Sequence, residues 1–166
     1  MRNFEVYLKN EYYPAQEWFK TEGVNWIKKH IPNHDWILTN YNQINLGIYK
    51  VTLNDVIVYV GQAVKVSNRL VVHAWHLAKE PERFYGVLQS ELEKNVVQIN
   101  MECIESKIQY NITREQKEAH YIQELAPYLQ IEKGKSVILN KKIKYDLCIY
   151  PKGKRRGITQ EKLNLN

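Results

Sequence analysis

The stretch that most constrains the fold is GIYKVTLNDVIVYVG, residues 47–61. Val, Ile, Thr and Tyr fill two arms around Asn54-Asp55, and a glycine stands at each outer end, the pattern of a β-hairpin. An isolated hairpin is at best marginally stable in water, so the rest of the chain has to cover this one. Its register decides where Tyr49 and Tyr59 go. A two-residue tip at Asn54-Asp55 sets position 49 opposite 60 and position 59 opposite 50, which sends the tyrosines to opposite faces. A three-residue tip, Leu53 to Asp55, or one bulge sets Tyr49 directly across from Tyr59. The residues of the hairpin favour neither.

The chain of 166 residues has the length of one domain and can bury about two thirds of its unfolded surface. Before the hairpin, Phe4 to Leu8 can form a strand. Ala15, Trp18, Phe19, Trp26 and Ile27 then recur at helical spacing from Pro14 onward, interrupted by Gly23, and IPNHDW supplies a break. After the hairpin, a helix is expected from an N-cap at Ser67 or Asn68 to the Pro81 boundary, and a second from Glu82 to about Glu93. Val96 to Ser106 reads as a strand. TREQKEAHYIQELAP reads as a helix with Thr113 as cap, Gln116 completing a capping box, and Pro127 past its end. The fold class expected is α+β, a small three-stranded antiparallel sheet flanked by helices in the order β-β-α-α-β-α, with a helical N-terminal extension and a basic C-terminal tail.

Charge is unevenly distributed. Residues 1–46 carry five Lys/Arg against five Asp/Glu, residues 47–140 eleven against eleven, and residues 141–166 eight against two, so the tail holds the whole net charge of +6. Lys141, Lys142, Lys144, Lys152, Lys154, Arg155 and Arg156 fit electrostatic capture of a polyanion through counterion release; a solvated basic tail has the same composition. The first residues lack the apolar core of a secretory signal, and no run approaches the roughly 18 apolar residues of a membrane span. A soluble, cytoplasmic protein without a membrane partner is expected, with Cys103 and Cys148 as free thiols.

Two features exceed what packing requires. Arg69, His73 and His76 stand at i, i+4 and i+7, placing three polar groups on one helix face beside the apolar Leu70, Ala74 and Leu77. Farther on, Glu118 continues the stripe of Ile122 and Leu125, so a carboxylate is directed toward the core, where it needs a partner or a metal. Arg114, four residues earlier, is the structural alternative for that partner.

Together these residues resemble the GIY-YIG nuclease superfamily. Gly47-Ile48-Tyr49 matches the first motif and Tyr59-Val60-Gly61 is a conservative variant of the second. Arg69 and His73 follow at the spacing of the family's helix signature, Glu118 sits in an E-x-x-x-I helix, and Asn140 in ILN resembles the terminal asparagine. The resemblance covers residues 47–140, leaving 1–46 as an N-terminal extension for DNA wrapping or subunit contact and 141–166 as a basic segment.

The resemblance implies a metal-dependent DNA endonuclease acting on duplex DNA at a short specific site, of restriction or phage type; its alternatives are a structure-specific repair nuclease and a silent nucleic-acid-binding module. It implies catalytic roles for Tyr49, Tyr59, Arg69, His73, Glu118 and Asn140, with Glu118 the ligand of Mg²⁺, for which Mn²⁺ could substitute. Tyr49 is the general base it implies, and His73 the competitor. Lys65 and His76 join the basic tail as expected DNA contacts. A two-strand cut suits a homodimer, for which Trp18, Trp26 and Trp36 are contact candidates unless they pack in the core.

Overall fold

The structure is a computed structural model describing residues 13–94, 97–132 and 135–143. The strand expected at Phe4 to Leu8, Cys148 and the basic residues from Lys144 onward lie outside the described residues.

A three-stranded antiparallel sheet organises the chain. β1 (Gly47–Leu53) is its central strand, between β2 (Val56–Ala63) and β3 (Ile99–Glu105). Asn54 and Asp55 both have positive φ, 49° and 70°, the signature of a two-residue type I′ turn whose twist matches that of the strands. Asn54 also ties the tip to the approach of β3, accepting from the Gln98 N–H at 2.8 Å through Oδ1 and donating its own N–H to the Gln98 carbonyl at 3.0 Å.

Within the hairpin the register slips once. Leu53 pairs with Val56 and Thr52 with Ile57, but Val51 pairs with Tyr59, so Val58 is an extra residue in β2. The tip is therefore the two-residue one and the bulge is also present. Beyond it Tyr49 pairs with Gly61, not with Tyr59. The tyrosines are diagonal neighbours on one face, a correction to the direct pairing expected of a bulged hairpin.

Each face of the sheet is covered by a helix. Tyr49, Val51, Leu53 and Val58 pack in the main core with α4 (Val66–Lys79), whereas Ile48 and Val60 form a second cluster with Ile108 and residues of α7 (Asn111–Leu125). Helix α4 is enclosed on its far side too. α1 (Tyr13–Trp18), a π-helical turn (Phe19–Gly23) and α2 (Val24–His30) run on continuously and, with α3 (His34–Thr39), pack against it. Residues 66 to 68 and 70 to 76 of α4 are all buried. Such a helix has no solvated face, unlike the amphipathic pattern expected from its sequence. Trp18 lies in this core, and Trp26 and Trp36 pack against it, so the tryptophans serve packing within the chain.

Several boundaries move. α4 begins at Val66 with Lys65 as N-cap, one residue before Ser67 and two before Asn68. Its first free N–H, that of Val66, is accepted by Asn45 Oδ1 at 2.9 Å, while Ser67 donates to the Ile37 carbonyl and Asn68 bonds to Asn42. The second helix breaks into α5 (Pro81–Phe84), a 3₁₀ turn (Gly86–Leu88) and α6 (Gln89–Lys94). α7 starts two residues before Thr113, with Tyr110 as N-cap and no side-chain cap, and ends at Ala126 in the left-handed region. An unexpected second sheet follows, β4 (Leu129–Glu132) with β5 (Lys135–Ile138). Among the described residues no helix is long and apolar enough to cross a membrane.

Asn45 connects the hairpin approach to the first turn of the buried helix. Asn45→Ala removes the acceptor of the Val66 N–H and should lower unfolding free energy by about 1–2 kcal/mol. Urea unfolding measures it; an unchanged midpoint with an unchanged m-value would show that the contact is dispensable.

Candidate active site

The face of the sheet turned toward α4 carries Tyr49 and Tyr59, and α4 meets it with His73. Ring centroids lie 6.0 Å apart for Tyr49 and Tyr59, 5.5 Å for Tyr49 and His73, and 4.9 Å for Tyr59 and His73. Tyr49 and His73 are 2% and 1% exposed, and Tyr49 Oη lies 3.1 Å from His73 Nε2. The other ring nitrogen, Nδ1, lies 2.8 Å from Tyr85 Oη. Pro81 at the start of α5 reverses the chain after Glu80, and this short helix delivers Phe84 and Tyr85 to the His73 ring.

Gly61 makes room for the Tyr49 hydroxyl. A Cβ at this position would lie 2.5 Å from Tyr49 Oη and 2.9 Å from Tyr59 Cε2. The glycine is a spatial requirement of the site, since its backbone pairs as ordinary strand.

Arg69 stands one turn before His73 on α4, and its charge acts on Tyr49, His73 and Glu118 alike. Glu118 belongs to α7, the layer on the opposite side of the sheet. It is half-buried, and the Gln62 backbone on edge strand β2 helps to hold its charge, so the two layers meet around that edge. Burial and the neighbouring Glu115 raise the Glu118 pKa, against the pull of Arg69 and Gln62. The alternative partner is engaged elsewhere. Arg114 is buried and donates to the Ile108 and Gln109 carbonyls, to Gln62 Oε1 and to Asn111 Oδ1; no ion pair holds Glu118 among the described residues.

Burial dominates the titration of the cluster. It raises the phenols of Tyr49 and Tyr85 well above 10, with Tyr59 adding to both and Arg69 pulling Tyr49 back. It holds the His73 pKa well below 6.5, helped by Arg69 and His76. In the free chain the imidazole is neutral and both phenols are protonated.

His76 does not reach the surface. It is 0% exposed, stacked on Phe84 at 4.0 Å, so the expected DNA contact is corrected to a core residue. Burial lowers its pKa to about 3; the Glu80 backbone opposes the shift, and Arg83 and Arg69 add to it. Neither ring nitrogen makes a contact of hydrogen-bond geometry among the described residues. Asn140 lies on the turn after β5, where its Nδ2 donates to the carbonyl of left-handed Ala126 at 2.9 Å and its Oδ1 accepts from the Lys142 N–H. Its amide supports the end of α7, and no contact joins it to Tyr49 or His73. Lys65 caps α4 half-buried, and Lys141 and Lys142 are exposed on the turn.

Glu118 is a carboxylate that could hold a cation. No group of three His, Cys, Asp or Glu is placed to bind an ion among the described residues. A hard divalent ion that retains water and takes phosphate oxygens needs no more from the protein, and its charge would offset the repulsion from Glu115.

Comparison with known protein families, with curated proteins and with solved structures finds no match in any of the three.

Gly61→Ala should displace the Tyr49 hydroxyl and cost about 1–3 kcal/mol, read by urea unfolding, with a change in the near-ultraviolet circular dichroism of the tyrosines. A native spectrum and midpoint would show that the strand yields instead. Both buried histidines have folded pKa values below the unfolded value of 6.5, so their contribution is complete above about pH 6.5 and is lost as pH falls below it, for His76 toward about 3. Each adds a slope of up to about 1.4 kcal/mol per pH unit, while Glu118, with a raised pKa, acts in the opposite sense as it protonates. His76→Leu should preserve or raise the midpoint at pH 7.5 while flattening the decline toward pH 5.5. An unchanged slope would identify other titrating groups.

Proposed function

We propose that this chain is a divalent-metal-dependent DNA endonuclease of the GIY-YIG type. The observation that carries the reading is the convergence of Tyr49, Tyr59 and His73 within 6.0 Å on one face of the sheet, under the charge of Arg69, which also acts on Glu118. Core packing alone calls for neither a buried hydroxyl hydrogen-bonded to a buried imidazole nor a half-buried carboxylate that no ion pair holds among the described residues.

Hydrolysis of a phosphodiester needs an attacking water deprotonated, the phosphorane-like charge stabilised and the leaving oxygen protonated. Tyr49, once its phenol proton has been lost to solvent, would take the proton from water as the phenolate. The water oxygen then bonds to phosphorus, the bond to the leaving oxygen breaks, and that oxygen takes a proton from solvent. Arg69, planar and permanently charged, stabilises the negative charge that develops on the phosphate. Tyr59, half-buried beside Tyr49, orients water or phosphate through its hydroxyl. Glu118 would hold Mg²⁺ or Mn²⁺, which supplies charge to the phosphate and acidity to water.

An ordinary tyrosine needs about 4 kcal/mol of preferential phenolate stabilisation to titrate near neutrality, and burial adds to that demand. The chain's own contributions are the charge of Arg69 and the hydrogen-bond contact with His73. Duplex DNA is the proposed substrate, with the basic C-terminal segment, including exposed Lys141 and Lys142, tracking its phosphates. A homodimer would cut both strands.

Plasmid DNA should be cleaved with Mg²⁺ or Mn²⁺ and remain intact with a chelator. Tyr49→Phe should lose about 10²–10⁴-fold in cleavage rate while its gel-shift affinity is retained; a near-normal rate would move the base to His73. Glu118→Gln should abolish cleavage, and metal-dependent cutting that survives it would reject Glu118 as the ligand.

A further inference from the structure

Tyr85 belongs to none of the sequence motifs, yet its hydroxyl meets the far nitrogen of His73. The side chain is 1% exposed, with Oη 2.8 Å from His73 Nδ1. On the opposite edge of the ring, Nε2 lies 3.1 Å from Tyr49 Oη. The three side chains form one buried row of phenol, imidazole and phenol. Among the described residues His73 is the hydrogen-bond partner of both hydroxyls, and neither has another.

A proton count limits what this row can be. With the ring neutral and both phenols protonated, one N–H and two O–H protons serve two hydrogen bonds. One O–H must point out of the row. With the ring proton on Nδ1, His73 donates to Tyr85, Tyr49 donates to Nε2, and the remaining proton is that of Tyr85. With the ring proton on Nε2, His73 donates to Tyr49, Tyr85 donates to Nδ1, and the remaining proton is that of Tyr49.

The surroundings of the two hydroxyls differ. Tyr49 Oη is buried against Gly61 and beside the Tyr59 ring, within the field of Arg69 and Glu118. Tyr85 is buried at the C-terminal end of α5, with Tyr59 as its titratable neighbour besides His73. An unmatched donor costs more than an unmatched acceptor in a buried site, so the free proton belongs on the side where the carboxylate of Glu118 acts. That side is Tyr49.

We infer that Tyr85 is a positioning residue that holds His73 as the Nε2–H tautomer, so that His73 donates to Tyr49 Oη and Tyr49, not His73, is free to exchange a proton with substrate water. The tautomer stands on the geometry; its consequence for cleavage rests on the nuclease reading. Tyr85 acts through the ring: by donating to Nδ1 it makes the Nε2–H a stronger donor to the Tyr49 oxygen as the phenolate forms. The charged and titratable groups that face the row are Arg69, His76, Tyr59 and Glu118.

Two measurements on the full chain test it. Nitrogen NMR of histidine-labelled wild type and Tyr85→Phe should show a neutral His73 with Nδ1 unprotonated and Nε2 protonated in wild type, and an altered Nδ1 signal in the variant. A wild-type Nδ1–H tautomer overturns the inference whatever the protein does to DNA. In single-turnover cleavage with Mg²⁺, Tyr85→Phe should lose about five- to tenfold in rate with DNA affinity unchanged. A wild-type rate overturns the positioning role. Absence of cleavage by the wild type would reject the nuclease reading, and the tautomer would then be decided by the nitrogen signals alone.

Discussion

One extra residue in β2, Val58 opposite the Val51/Thr52 step, sets the direction of every β2 side chain beyond it. Strand side chains alternate, so a one-residue slip exchanges the two faces of all that follows. Without it Tyr59 would face α7 and Tyr49 would face α4, with the sheet between them. With it both phenols lie on the α4 side, and Val60 is delivered to the second cluster with Ile48 and Ile108. Gly61 then falls opposite Tyr49, where a glycine leaves space for the hydroxyl.

The enclosure of α4 is the second constraint. Because the N-terminal helices cover its outer side while the sheet and α5 cover the inner side, His73 and His76 are held neutral by desolvation rather than by a specific partner. The two then diverge. His73 has a phenol at each nitrogen, whereas neither nitrogen of His76 has a hydrogen-bond partner among the described residues, and its ring packs against Phe84. The first is the one the proposed proton chemistry involves, and the second behaves as a packing residue whose main thermodynamic signature is acid sensitivity. The same helices make residues 13 to 39 part of the common core, so the division at residue 46 marks a change in sequence pattern and not a gap in packing.

Charge follows the layering. Arg69 is on one side of the sheet and Glu118 on the other, and their fields overlap at the β2 edge near Gln62. Arg114, which sequence spacing offered to Glu118, instead satisfies the carbonyls of Ile108 and Gln109 and reaches Gln62. Its withdrawal leaves the Glu118 carboxylate available to a cation, and places a buried cation behind the same edge.

The sequence by itself determined the hairpin around Asn54-Asp55, the third strand, the helical order and the α+β class, because strand propensity, turn chemistry and apolar periodicity are local properties of the chain; the length of the tip it left open. It also placed Tyr49, Tyr59, Arg69, His73 and Glu118 as a candidate set through motif spacing. It could not determine the bulge, since the same residues allow pairing with or without an extra residue and only packing against α4 and α7 selects between them. Thr113 met every local rule for a cap, yet α7 extends past it to Asn111. Nor could spacing separate His73 from His76, three residues apart on one face, because their difference is made by Tyr49, Tyr85 and Phe84, which arrive from other segments. Tyr85 had no local signal at all: its proximity to His73 follows from the reversal at Pro81, and hydrogen bonding across such a turn is a property of the tertiary structure alone.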